Sequence, residues 1–396
     1  MTINDISFKN INQWLFMSFV VIAPIFFYTN ASFGQQTMRI VQEQFFLIGT
    51  AVLFACIVGN VYISLFVFLS PCLYPLFKFE GHTYMMYILI GSILYYVTLK
   101  TIDENYILTI FKGLLCVALL NCVWMFMQYS DWDLIYILRR TRTYSTEYVG
   151  GLMGLKAATG MFLAFCVPLA LRFKRWGIWV AFALFFPIYL MECSVAILGA
   201  IIAVLFHMWF RNRKLFKILL IVGLIGGSAY AYQDSKTGMF EDRFNLWKIV
   251  LRDAFKHPVT GWGLDSFRGV SLGKNFMYVK QSGGLESAKA YLNDSNVFVT
   301  LNGFVKPGGR VDPWDNAHNE YIQLFYEFGM FGVLILIAMI RDMVKRFHSR
   351  NDTLLALTGF FIVLAIVSIS QFPFHLARVG YLIPIMYALY IKVTDG

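Results

Sequence analysis

Charged side chains are scarce in this chain, at 14% of its 396 residues, where an average soluble domain carries about 25%. That scarcity excludes a water-soluble globule, which needs a charged surface to stay hydrated. Cysteine offers no framework either. All six (Cys56, Cys72, Cys116, Cys122, Cys166, Cys193) lie in or beside apolar runs, so no disulfide scaffold is expected. There is no repeat, no low-complexity tract, no soluble domain and no phosphate-cradling glycine loop. The first apolar run lacks a small-residue cleavage site and reads as a retained span.

Apolar residues are what the chain has instead. They make up 58% of it, and the mean hydropathy is +0.62. Its 39 Phe, 22 Tyr and 9 Trp suit lipid-facing surfaces and interfacial belts. Twelve apolar runs can be marked off, at residues 14–29, 44–59, 61–77, 84–99, 107–128, 155–171, 177–191, 195–210, 215–232, 321–340, 353–372 and 380–393. Runs of about 17–25 residues can cross a bilayer. The expectation is an all-α polytopic membrane protein, one integral membrane domain over residues 1–396 with about 12 transmembrane helices. Basic clusters follow the sixth run (Arg172, Lys174, Arg175), the eighth (Arg211, Arg213, Lys214, Lys217) and the tenth (Arg341, Lys345, Arg346, Arg350). They share one side of a twelve-span chain, and the positive-inside rule makes that side cytoplasmic, with both termini on it. The polar connections 129–154 and 233–320 then face outward, the larger one lying between the ninth and tenth spans.

Within the larger loop, residues 241–256 have helical periodicity. Phe244, Trp247, Val250, Leu251 and Ala254 share a face, and Lys248, Arg252 and Lys256 form a basic stripe suited to lipid headgroups. This reads as an amphipathic helix on or just above the membrane, ended by His257-Pro258 and Gly261-Trp262-Gly263. Residues 271–313 read as irregular. The shorter loop carries Arg139-Arg140-Thr141-Arg142, three outward arginines against the usual charge trend. Their planar forks fit phosphate, either of phospholipid or of a phosphorylated lipid substrate. Arg378 is another outward cation. Asp131-Trp132-Asp133 is a lone Asp-x-Asp, and no metal site is assigned to it.

The polar loop ends at Asp315-Asn316-Ala317-His318-Asn319-Glu320, where an apolar helix begins. Asp315 and Asn316 are natural caps, and the positive helix end disfavours imidazolium and keeps His318 able to accept a proton. The plain alternative is a polar residue anchoring a helix end. His318-Asn319, nine further residues and Gly329-Met330-Phe331-Gly332 resemble the signature of the O-antigen ligase and O-antigen polymerase superfamily, which includes bacterial protein O-oligosaccharyltransferases. Arg243, Trp247 and the run His257-Pro258-x-x-Gly261-x-Gly263 resemble its loop helix and terminal turn. One departure stands out. The family often has Ser-Arg or Thr-x-x-Arg where this chain has Ser194-Val195-Ala196 after Glu192, so that arginine's role passes to Arg142, Arg140 or Arg378, or is dropped.

The resemblance implies a GT-C-like membrane enzyme of the bacterial inner membrane with a periplasmic active site. It would be a metal-independent, inverting glycosyltransferase needing no cofactor. Its donor would be a glycan on undecaprenyl diphosphate, and its acceptor a hydroxyl of lipid A core (ligase), of a second lipid-linked repeat (polymerase) or of a protein. His318 would be the base, and Arg243, Arg142, Arg140 and Arg378 the diphosphate-binding cations. Asn319, Glu320 and Asp315 would orient or support, and Gly329 and Gly332 would allow close helix packing. Glu327, inside the tenth span, must be paired or protonated. The rival class is a lipid-linked oligosaccharide transporter, which should carry mid-depth charges, broken helices and repeated halves. Lys112, Lys156 and Glu327 are its few candidate charges. A cell-wall polymerase of the shape, elongation and division type is more remote, because its acidic site is not evident.

Overall fold

The computed structural model describes residues 13–18, 20–21, 82–130, 150–153, 156–218, 220, 239–263, 266–269, 298–300, 303–305, 311–312, 317–348, 351–371 and 373–395. These are mostly helical. Helices His82–Thr101, Glu104–Tyr129, Lys156–Leu171, Lys174–Leu190, Ser194–Arg211, Glu320–Arg346, Asp352–Val367 and Leu382–Asp395 fall on eight of the expected runs. Three of them, Glu104–Tyr129, Ser194–Arg211 and Glu320–Arg346, are long and apolar enough to cross a membrane. Runs 44–59 and 61–77, with most of 14–29 and 215–232, lie outside the described residues.

Lys156–Leu171 is the central helix. Every residue from Ala158 to Leu171 is buried, which a hydrophobic helix tolerates only when neighbours surround it. Lys174–Leu190, Ser194–Arg211 and Asp352–Val367 pack around it. Phe165 and Phe360 meet there with ring centroids 4.7 Å apart. The outward side of Lys174–Leu190 exposes Trp179, Phe182, Phe186 and Tyr189, as a lipid-facing rim does.

Charged residues fasten one end of this bundle. Arg172 Nε donates to Thr353 Oγ1 at 2.8 Å, and both Arg172 and Arg211 pair with Asp352. Phe347 packs on Phe206 and Phe210 at the same end. The connections after Leu171, Arg211 and Arg346 therefore gather together.

The long loop supplies a helix, Met239–Ala254, and a small antiparallel sheet of Phe298–Thr300, Gly303–Val305 and Val311–Asp312. Phe298 lies opposite Val305, and Phe304 opposite Asp312. Ordered pairing thus replaces the irregular backbone expected there, at those residues. The helix that follows the loop, Glu320–Arg346, is broken at Gly329, whose φ of 58° and ψ of −144° are not helical.

Candidate functional site

His318 sits in the left-handed region, at φ 51°. That conformation costs a non-glycine residue roughly 1–3 kcal/mol and persists only where its surroundings hold it. Here they do. The buried Ala317 donates its N–H to Gln323 Oε1 at 3.0 Å and accepts at its carbonyl from Trp247 Nε1 at 3.1 Å. On the other side Asn319 caps the helix, its Oδ1 accepting from Ile322 N at 3.0 Å. Glu320 N donates to Ser368 O at 2.9 Å, and Glu320 Oε1 accepts from Phe374 N at 2.8 Å. His318 is half-buried with its Nδ1 inside. Ala317 on one side is fixed to the loop helix and Glu320 on the other to the end of Asp352–Val367, so the ring is presented by a clamped turn.

Trp247 comes from the loop helix, so a residue far upstream sets the position of the His318 backbone. Arg243 lies one turn before Trp247 on that helix. The 100° step per residue puts it within about 40° of Trp247 on the helical circumference. The two segments with family-like motifs therefore meet at one place.

A second junction lies below. The turn at residues 257–263 docks against the break in the Glu320–Arg346 helix, backbone to backbone. An unbroken helix would bond Met330 N to Tyr326 O. Instead Met330 N donates to Pro258 O at 2.8 Å, while Tyr326 O accepts from Trp262 N at 2.9 Å and Glu327 O from Gly263 N at 3.0 Å. The loop supplies what the break removes, as a buried backbone requires. Two glycines make this possible. A Cβ on Gly329 would come within 2.6 Å of the Val259 carbonyl, and one on Gly261 (φ 69°) would strike the backbone of Glu327 and Phe328. What approaches Gly329 is therefore a loop rather than a second helix. At Gly332 the close neighbours are Leu324 and Phe328 of its own helix, across the break.

Around these junctions Val250, Ala254, Phe267, Ala317 and Tyr326 form a small separate core. Polar groups cross-link it. Asp253 Oδ2 accepts from the Tyr326 hydroxyl at 3.2 Å, Asp253 Oδ1 pairs with Lys256 at 2.7 Å, and Trp262 Nε1 donates to Asp253 O at 3.1 Å. Gln323 Nε2 donates to Glu327 Oε1 at 3.2 Å, which gives the buried Glu327 a partner. Sequence reasoning missed Gln323, Asp253 and Tyr326. The signal for Gln323 was present: Asn319, Gln323 and Glu327 recur every fourth residue, and between Glu320 and Glu327 the other residues are aliphatic or aromatic.

Of the other candidates, Arg378 falls in the short helix Ala377–Gly380, just after the Pro373–His375 turn that Glu320 holds. Arg140, Arg142 and Asp315 lie outside the described residues, as do Asp131 and Asp133. Phe244 is 54% exposed, unlike the rest of the face it was grouped with. It lies about 90° from the mean direction of Trp247, Val250 and Ala254, by the 100° helical step. Among the described residues no three His, Cys, Asp or Glu side chains gather as a metal site. No family model matches the chain, and no curated protein matches it.

Proposed function

We propose that the chain is a multi-pass membrane glycosyltransferase. It moves a preassembled glycan from undecaprenyl diphosphate to a hydroxyl acceptor with inversion at the anomeric carbon, in the manner of the O-antigen ligases it resembles. In this reading twelve spans place the His318 turn on the periplasmic side of the bacterial inner membrane. The observation that carries it is the bond from Trp247 Nε1 to the Ala317 carbonyl, which brings the Arg243 helix against the turn that presents His318.

The reaction asks for few groups. Diphosphate is already a good leaving group, so the protein needs positive charge to hold it and to stabilise the leaving oxygen. Arg243, with Arg140, Arg142 or Arg378, serves that need. The acceptor hydroxyl loses its proton to His318 as its oxygen attacks the anomeric carbon, and the C–O bond to diphosphate breaks on the opposite face. The Asn319 cap and the Glu320 bonds hold the imidazole's backbone in register. Lipid A core is the favoured acceptor; a second lipid-linked repeat or a protein hydroxyl are the alternatives.

The break at Gly329 is a feature a transporter would also carry. Here, however, the freed carbonyls of Tyr326 and Glu327 are taken by loop N–H groups, which favours the break as a docking point for the loop. Lys156 stands 3.5 Å from Glu192 at a helix end, which removes it from the short roll of mid-depth charges.

The test is transfer by purified wild type, His318→Ala and Arg243→Ala, with undecaprenyl-diphosphate glycan as donor. Lipid A core and a second lipid-linked unit are offered separately, with chelator and no nucleotide. We expect product on one acceptor, falling about 100-fold or more in either variant. Full activity in either variant rejects that residue's role. Donor binding by folded wild type without product on either acceptor moves the reading to a protein acceptor or a transporter.

A further inference from the structure

The loop helix Met239–Ala254 has two faces with different fates. One docks, through Trp247, Val250 and Ala254, on the turn and the broken helix. The other carries Phe244 and Lys248 and runs on to Phe255 beyond the helix end. It is exposed, at 54% for Phe244 and 65% for Phe255. Arg252 lies beside it, also exposed, and Lys248 Nζ sits 4.5 Å from the Phe244 ring centre. Val259, at the tip of the following elbow, is 60% exposed. Exposed aromatic residues interleaved with Lys248 and Arg252 on one side of a helix have the chemistry of a membrane-surface face.

The broken helix says which. Its start and the end of Asp352–Val367 are tied together by Glu320 N to Ser368 O at 2.9 Å and by the Tyr321 hydroxyl to Ala365 O at 2.7 Å. Their other ends are joined by only residues 347–351. Yet one helix has 27 residues and the other 16, about 40 Å against about 24 Å at 1.5 Å per residue. The break absorbs the difference, because residues 330–346 alone measure about 25 Å. Residues 320–328 therefore add little to the crossing, and the membrane-crossing stretch begins at Met330. From there the outward side is apolar and open, with Met330, Phe331 and Leu334 all at least half exposed. The elbow is bonded to that point through Met330 N and Pro258 O. Val259 follows Pro258 directly, so an exposed apolar side chain adjoins the start of that open surface.

We propose that Phe244, Phe255 and Val259 are inserted at the hydrocarbon edge of the leaflet on the His318 side, with Lys248 and Arg252 among anionic headgroups. The loop helix is then held between protein on one face and lipid on the other, and the bilayer itself becomes part of the scaffold that positions the His318 turn. This rests only on the chain being a membrane protein and is independent of the transfer reading.

The test uses wild-type protein in vesicles of phosphatidylethanolamine and phosphatidylglycerol, without donor or acceptor. One preparation carries a phosphatidylglycerol with a diazirine in mid-acyl chain, and the other a water-soluble diazirine. After irradiation, labelled residues are mapped by mass spectrometry. We expect the acyl probe to label Phe255 and Val259 within about threefold of residues 330–337, whose exposed side chains set the lipid-facing standard. Labelling of Phe255 and Val259 by the water-soluble probe alone, with residues 330–337 labelled by the acyl probe, overturns the proposal. So does protection from both probes, which marks a protein partner on that face.

Discussion

The two ends of the helical bundle are fastened by different means. At one end charged side chains do it: Arg172 and Arg211 converge on Asp352, and Arg346 bonds Asp342 at 2.9 Å and also reaches Asp395. At the other end the backbone does it. Met330 N, Trp262 N and Gly263 N are exchanged between a turn and a broken helix, and Ala317 is held at both its N–H and its carbonyl. Long side chains can shift and find water or a headgroup phosphate, so ion pairs of this kind contribute little and forgive substitution. Backbone junctions with glycine at the contact have no such freedom. The contrast places precision at the end that carries His318 and tolerance at the other.

The strongest way to break that contrast is at Gly329. Alanine there meets a backbone conformation that only glycine adopts without strain, and its Cβ meets the Val259 carbonyl. Neither partner is a side chain that can swing away. We expect Gly329→Ala to cost about 3 kcal/mol or more of stability and to abolish transfer, read as the detergent unfolding midpoint and the product yield. A neutral Gly329→Ala would show that the junction is dispensable. The next effect is smaller and sharper. Trp247→Phe keeps an aromatic ring but removes the donor to Ala317 O. One hydrogen bond is worth about 1 kcal/mol net, so the fold should survive. Transfer should fall about five- to tenfold if that energy positions the His318 turn, with donor affinity unchanged. Equal loss of donor affinity would mean that Trp247 supports the donor pocket instead of the imidazole.

Much of the helical framework was legible because hydropathy and charge are local properties. The apolar run 195–210 and the arginine that follows it mark the helix Ser194–Arg211 to within a residue. The loop helix was legible from the spacing of Val250 and Ala254, and the pairing need of Glu327 from its apolar surroundings. The break at Gly329 was not, because Phe328, Met330 and Phe331 keep the stretch apolar straight through it, and hydropathy carries no information about φ. Nor was the left-handed backbone of His318, where the flanking Ala317 and Glu320 are held by the distant Trp247 and Ser368. The meeting of the two motif segments was expected only through resemblance. Its physical cause, hydrogen bonds across some seventy residues of sequence, leaves no local trace. The spacing showed which residues share the apolar stripe, but not that Val250 and Ala254 pack on protein while Phe244 stays exposed.

The smallest effect is expected at the charged end, and it sharpens the contrast most. Asp352 accepts both Arg172 and Arg211, so Asp352→Asn removes two ion pairs at once. If pair number measured importance, this would be the most damaging substitution of the three. But its carboxylate is only partly buried, at 28% side-chain exposure, and Arg172 keeps its bond to Thr353 Oγ1. The helix start is also capped independently, by Asn351 Oδ1 accepting from Thr353 N and Leu354 N. Both arginines lie at helix ends where lipid phosphates can replace the lost carboxylate. The unfolding midpoint in lipid nanodiscs should therefore correspond to a change within about 1 kcal/mol, with transfer unchanged. A larger loss, persisting in anionic lipid, would mean that this end too is held by geometry, and that the precision at His318 is not local to its own junction.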